Sequence, residues 1–343
     1  MSTPRVAVIG YGFSGRCFHS YLISLVPGLS LAGIAARNPE THARIEAERG
    51  CRAYESFEQV LADPAVDLVV LATPNHTHAD LAVAAMDAGK NVITDKVMCL
   101  TVVDADRMID AARRNNVLLS VFQNRRWDGD FLTLRGAMDD GSLGTVKYIE
   151  MAWQGMGAWG GWRGQSEMGG GRFFDLGAHL ADQLALLFPQ AIESVYCRMH
   201  HDYAGTDVES EALLVATFAG GFTGVCDLSG MTMISKPRFR AHGDRASFVK
   251  YGLDPQEKAM IAENIDAAVE SPENFARVHD GKTETRLPTL PGRWRSYYEN
   301  IADALTEAAP LAVTPESVRR GIAILDAAKR SARTGEVVRL VSA

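Results

Sequence analysis

Apolar and polar residues alternate in blocks along the first third of the chain. Val6-Ala7-Val8-Ile9 is a short, continuously apolar run. It enters Gly10-Tyr11-Gly12-Phe13-Ser14-Gly15, and a helix follows over residues 15–25 until Pro27-Gly28 stops it. A second apolar strand covers 30–36, Asn38-Pro39 breaks it, and 40–50 reads as a polar helix. The next strand, 67–72, feeds Thr73-Pro74-Asn75-His76-Thr77-His78. Leu81, Ala84, Ala85 and Ala88 then recur at helical spacing, with Gly89 as the stop. Residues 91–94 form another strand, ending at Asp95-Lys96. Thr101-Val102-Val103-Asp104 has the form of a capping box and opens a helix to Asn116, before a strand over 117–122. Strands apolar on both faces that alternate with helices imply a parallel, doubly wound sheet.

After Asn124 the pattern changes. A helix spans 131–139, a strand 146–153, and a glycine- and tryptophan-rich loop 155–171. A helix over 173–188 is closed by Pro189. Strands then dominate, at 194–201, 211–218, 222–228, 238–241 and 247–251, with hairpin turns at Gly220-Gly221 and Gly243-Asp244. Residues 254–286 read as a polar surface excursion, and 297–308 and 315–333 as closing helices. This half reads as α+β: a large, mainly antiparallel sheet with helices on one face. The other face is then solvated or buried against a second copy. The expected domains are 1–123 and 124–343, and the chain as a whole is α/β.

Composition narrows the function classes. The 343 residues carry a net charge of −7, with 47% hydrophobic and 22% charged residues. That is too apolar for disorder, and its acidity argues against a nucleic-acid or membrane-surface partner. The five cysteines, at 17, 51, 99, 197 and 226, form no C-x-x-C pair. No disulfide framework or metal site is expected, and reduced thiols point to the cytoplasm. The N-terminus lacks signal-peptide architecture, and no apolar run reaches the roughly 20 residues of a membrane span.

G-x-G-x-x-G between a strand and a helix is a dinucleotide-binding pattern. Gly10 permits the tight turn, Gly12 the approach of a pyrophosphate, and Gly15 close packing of helix on strand, as in a Rossmann domain. The helix start supplies amide donors for the phosphates. The second strand ends in Ile34-Ala35-Ala36-Arg37-Asn38, without the carboxylate that binds ribose hydroxyls in NAD-preferring sites. Arg37 offers a bidentate donor to a 2′-phosphate, so NADP(H) is expected over NAD(H).

Together with the glycine loop, four further passages carry a family resemblance. They are Ala72-Thr73-Pro74-Asn75-His76-Thr77-His78, Thr94-Asp95-Lys96, Trp162-Arg163 and Asp175-Leu176-Gly177-Ala178-His179. The chain resembles, over its whole length, the glucose–fructose oxidoreductase, inositol dehydrogenase and rhizopine-catabolism (Gfo/Idh/MocA) family. Phe122-Gln123-Asn124-Arg125-Arg126-Trp127-Asp128-Gly129-Asp130 resembles its subgroup that includes NADP-dependent scyllo-inositol dehydrogenases.

The resemblance implies a dehydrogenase or reductase acting on a CH–OH or C=O carbon of a cyclic polyol or sugar. Its catalytic residues would be Lys96, His179 and Asp175. The implied cofactor contacts are Gly10, Gly12, Phe13, Gly15, Arg37, Thr73, Pro74, Asn75, His78, Lys96, Asn124, Trp162 and Arg163. Capping of the next helix is an equal alternative for His78. The nicotinamide is expected in the cleft between domains, and the protein as a homo-oligomer, dimer or tetramer, through the C-terminal sheet face. Reduction of a ketose, osone or imine, or a dinucleotide-binding regulator without turnover, are the alternatives.

Two departures stand out in the family's Glu-Lys-Pro motif, which falls on Asp95-Lys96-Val97. Asp95 keeps the charge on a shorter arm. Val97 replaces proline, and a cis bond before it would cost about 2.5–4 kcal/mol, so a trans bond is expected.

Overall fold

The computed structural model describes residues 3–340 and resolves into two compact units. The first combines the chain up to Asn124 with Glu257–Ala267 and Arg293–Arg319. The second holds Arg125–Gln256, Ala268–Gly292 and the chain from Arg320 onward.

The first unit is built on six parallel strands: β1 (Arg5–Ile9), β2 (Ser30–Ala35), β3 (Arg52–Tyr54), β4 (Leu68–Leu71), β5 (Asn91–Thr94) and β6 (Leu119–Val121). Their spatial order is β3-β2-β1-β4-β5-β6, the doubly wound order. Val6, Val8, Leu68, Val70 and Ile93 have no exposed surface, which accounts for the unbroken apolar runs. Local signals set the crossover helices. Asn38 caps Pro39–Arg49 by accepting from the Glu40 amide, and Gly50 ends it at φ +59°. Thr101 accepts from the Asp104 amide to open Val102–Asn115.

The strand β3 and the helix Phe57–Ala62 lack a sequence counterpart above. β3 is a three-residue edge strand, too short to show a pattern. The later segments join this unit through an aromatic cluster. Trp294, Tyr297 and Tyr298 are fully buried or nearly so, and Phe122 meets Tyr297 at 5.1 Å between ring centres.

The second unit holds a nine-stranded sheet made of β7 (Val146–Gln154), β8 (Ile192–His200), β9 (Glu211–Phe218), β10 (Phe222–Ser229), β11 (Phe239–Gly243), β12 (Ser247–Lys250), β13 (Ala276–His279), β14 (Glu284–Leu287) and β15 (Val338–Arg339). Its order is β14-β13-β12-β11-β7-β10-β9-β8-β15. Every pairing is antiparallel except β7 with β10. On β9, Ala212, Leu214, Ala216 and Phe218 point inward, while Leu213 is exposed and Val215 half-buried on the opposite face. The hairpin of β13 and β14 replaces part of the expected polar excursion. Its outer strand is almost wholly exposed, so it needs no apolar alternation to form.

Among the described residues, no helix is long and apolar enough to cross a membrane.

Candidate active site

The first unit brings its candidate residues to one edge of the parallel sheet. Gly10 follows β1, Arg37 follows β2, Thr73-Pro74-Asn75 follow β4, Lys96 follows β5 and Asn124 follows β6. Ligands of doubly wound sheets bind beyond these carboxyl ends.

The glycine loop fits a dinucleotide on its own geometry. Gly10 sits at φ +101°, and a Cβ there would stand 2.5 Å from the Ala72 carbonyl oxygen. A Cβ at Gly15 would stand 2.1 Å from the carbonyl oxygen of Gly10. At Gly12 a Cβ would meet nothing within 4 Å. Two glycines are thus required by the fold, and the third opens onto free space where a pyrophosphate would lie. Phe13 beside it is 44% exposed and packs edge-on against Phe18 at 5.0 Å.

Arg37 is exposed, and no hydrogen bond or ion pair holds it among the described residues. A second guanidinium, overlooked among the charges of the polar helix, lies at the loop. Arg44 Nη2 donates to the Tyr11 carbonyl at 3.3 Å, and its guanidinium lies 5.2 Å from the Tyr11 ring centre.

The loop after β4 is internally tied: Thr73 Oγ1 and Thr77 Oγ1 are 2.7 Å apart, and Thr77 donates to the Pro74 carbonyl. Asn75 is buried. His78 departs from the expected cofactor contact. It has 0% exposure, with Nδ1 2.7 Å from the Val97 carbonyl and Nε2 3.0 Å from that of Thr73. Burial pushes its pKa down, against the pull of both carbonyls. It therefore braces the β4 loop against the turn after β5, with no surface left for a ligand.

The turn after β5 also corrects an expectation. The Lys96–Val97 bond is cis. The trans expectation weighed only the intrinsic cost of the bond. It left out the surroundings of Val97, which is fully buried and anchored through its carbonyl to His78. Lys96 is half-buried. Asp95 Oδ1 accepts from the Lys96 amide at 2.7 Å, and Oδ2 accepts from Ser14 Oγ at 2.5 Å. Burial works against ionisation of this carboxyl. Contact with His19, the Lys96 ammonium and the Ser14 hydroxyl outweigh that and hold its pKa well below the usual carboxylate range.

In the second unit, the expected helix over 173–188 is interrupted. Arg172–Asp175 and Gly177–Leu187 are separated by Leu176, whose φ −99° and ψ −39° still keep the chain helical in sense. His179 is only 4% exposed. Its ring stacks on Trp153, at 6.0 Å between centres and 26° between planes. Trp153 in turn lies under two guanidiniums, Arg125 at 4.4 Å and Arg238 at 4.7 Å. Asp175 faces Arg163 Nε at 3.6 Å, and the Arg163 guanidinium lies over Trp162 at 4.6 Å. The Trp162-Arg163 pair and Asp175 thus form one local group.

Asp182, which helical spacing puts on nearly the same side as His179, is committed elsewhere. It takes a bidentate pair from Arg126, Nε at 2.8 Å and Nη2 at 2.6 Å. Asp128 is likewise fully buried. Burial raises its carboxyl well above the usual range, although Arg125 at 3.1 Å pulls it down. Sequence reasoning did not find Trp153, Arg125 or Arg238. An Arg-Arg-Trp run just past the domain junction was visible, but nothing in it ties these side chains to His179.

Comparison with known proteins places this geometry. The family model described as "Oxidoreductase family, NAD-binding Rossmann fold" matches residues 4–123, and that of the Gfo/Idh/MocA C-terminal domain matches 131–249. The scyllo-inositol 2-dehydrogenase (NADP(+)) IolW of Bacillus subtilis is 30% identical over 99% of this chain and 97% of its own. The uncharacterized oxidoreductase YdgJ of Escherichia coli is 34% identical over 88% of each chain. The solved structure of yvaA from Bacillus subtilis has a TM-score of 0.92 at 28% identity, covering 99% of both chains. With both domain models matched and a 30% identical relative aligned along nearly its whole length, the chain belongs to the Gfo/Idh/MocA oxidoreductases and is an enzyme with an NAD-binding Rossmann domain.

Proposed function

We propose that this enzyme is an NADP(H)-dependent dehydrogenase that acts on a CH–OH carbon of a cyclic polyol or sugar of scyllo-inositol type. The observation that carries the cofactor reading is the exposed Arg37 at the end of β2, where no carboxylate stands to repel a 2′-phosphate. Similarity along nearly the whole chain to an NADP-dependent scyllo-inositol dehydrogenase supports the substrate class.

Gly10, Gly12 and Gly15 would hold the pyrophosphate, with Phe13 beside them. Thr73, Pro74 and Asn75 would lie along the ribose, and Asn124, Trp162 and Arg163 would complete the contacts. When bound, the dinucleotide supplies the hydride acceptor for oxidation and the donor for reduction. His179 takes the hydroxyl proton in oxidation and returns it in reduction. The Lys96 ammonium holds a substrate hydroxyl and stabilises negative charge developing on its oxygen. Asp175, paired with Arg163, binds a further hydroxyl or orients His179.

A panel of inositols, aldoses and ketoses with NADP⁺, NAD⁺ and NADPH tests this reading. A cyclic polyol should be oxidised best, and with NADP⁺. Arg37→Ser should lose about 10- to 100-fold in kcat/KM for NADP⁺, the worth of hydrogen bonds to a charged group, and little for NAD⁺. Equal kcat/KM for the two cofactors in the wild type would overturn the cofactor reading. Activity confined to open-chain ketoses would overturn the substrate class.

We also propose a homo-oligomer through the outer face of the second sheet. That face carries exposed Leu213 beside half-buried Val215 and Val225. Sedimentation should find a dimer or tetramer, and a stable monomer at micromolar concentration would contradict it.

A further inference from the structure

His19 has no part in the chemistry above, yet it is wholly buried in the first unit. It stands on the π-helical turn Gly15–His19, directly after the glycine loop. Its Nδ1 meets the Tyr298 hydroxyl at 2.7 Å, and its ring centre lies 4.5 Å from that of Phe122. Its Nε2 faces Asp95 Oδ2 at 3.6 Å, within reach of charge attraction but too far for a hydrogen bond. Burying an imidazole is costly unless its nitrogens are engaged. Here the Tyr298 hydroxyl engages one nitrogen, and the other, without a hydrogen bond among the described residues, faces one carboxylate.

That carboxylate has both oxygens committed. One takes the backbone amide of Lys96, and the other takes the hydroxyl of Ser14 in the glycine loop. Asp95 is therefore placed to hold position, not to carry a proton. It links the backbone of Lys96 to the cofactor loop, while His19 and Tyr298 stand behind it. On the other side of the same turn, His78 anchors the Val97 carbonyl. The charged and titratable groups that face His19 are Asp95 and His78, with Tyr298 on its Nδ1 side, and Lys96 faces Asp95.

We propose that Ser14, His19 and Tyr298 are positioning residues that fix Lys96 through Asp95. This rests on the reading of Lys96 as the group that holds the substrate oxygen. Displacing the turn by a fraction of an ångström would misplace the ammonium without removing it, which lowers kcat more than substrate affinity.

The test uses the full-length enzyme with NADP⁺ and scyllo-inositol, or the panel polyol with the highest kcat/KM. Ser14→Ala and Tyr298→Phe each remove one hydroxyl and leave the packing, whereas His19 variants risk misfolding. Each should lower kcat about tenfold, equivalent to about 1.4 kcal/mol, with the polyol KM changed by less than about twofold. Ser14→Thr keeps the hydroxyl and should restore most of kcat, which a role in packing alone would not produce. Wild-type kcat in both Ser14→Ala and Tyr298→Phe, or equal losses in Ser14→Ala and Ser14→Thr, would overturn the proposal. Lys96→Ala run in parallel separates the two readings. If it stays active, the role of Lys96 itself fails. If it is inactive while Ser14→Ala and Tyr298→Phe keep wild-type kcat, only the positioning fails.

Discussion

Alanine or glutamine in place of His179 is expected to lower kcat by roughly 10²–10⁴-fold, the usual contribution of a positioned general acid–base. Glutamine is the sharper probe. It keeps most of the volume against Trp153 and can still donate a hydrogen bond, but it cannot accept a proton at neutral pH. Because His179 is almost fully buried and stacked on Trp153, alanine also leaves a gap and should cost stability. The two variants therefore separate chemistry from packing. Both should lose turnover, but the melting temperature should fall mainly in alanine. NADPH affinity, measured by fluorescence titration, should stay close to wild type, since the glycine loop is untouched. kcat and kcat/KM should fall together, as expected when an interaction confined to the transition state is lost. Turnover of His179→Gln above about a tenth of wild type would fall outside the range for a general base and remove His179 from the proton transfer.

What the sequence revealed depended on how each element is buried. β1, β2, β4, β5 and β6 read clearly because both of their faces are covered, so the apolar residues run without a break. β3 is three residues at an edge, and β14 is nearly all exposed, so neither leaves a hydrophobic pattern. The glycine loop was legible in detail because its requirements are local. Gly10 needs a positive φ, Gly15 needs room against Gly10, and both demands sit within a few residues. The roles of Lys96 and His179 came instead from resemblance, because a lysine after a strand or a histidine on a helix has no chemistry of its own in a sequence. The wiring behind them was illegible for a different reason. His19 meets Tyr298, 279 positions away, and Asp182 meets Arg126 across 56. Helical spacing placed Asp182 beside His179, but a buried guanidinium with matching bidentate geometry claims it. The isomer of the Lys96–Val97 bond was likewise judged from residue type, without the His78 contact that holds Val97 from outside the motif.

Lys96→Ala is expected to lower kcat by roughly 10²–10³-fold, the usual cost of losing a group that stabilises a developing oxyanion. Lys96→Met serves as its partner, keeping most of the aliphatic arm while losing the charge. Both should bind NADPH and melt within a few degrees of wild type, because the Asp95 contact to the residue's backbone amide is retained with any side chain. Lys96→Arg should not restore activity. A planar guanidinium on a longer arm does not match the compact ammonium. The charge also matters behind the site. Asp95 owes its ionisation, against burial, partly to the Lys96 ammonium and partly to His19 and Ser14. Without the lysine charge the carboxyl pKa rises toward its ordinary value. The stability that its ionisation contributes, present above the unfolded pKa and lost as pH falls through the folded one, then shrinks. Lys96→Met should accordingly be somewhat less stable than wild type at neutral pH, should begin acid unfolding at higher pH, and should lose that difference as pH falls through the folded pKa of wild-type Asp95. Wild-type kcat in Lys96→Met would remove the lysine from catalysis. An unshifted acid transition would show that His19 and Ser14 hold Asp95 ionised without it.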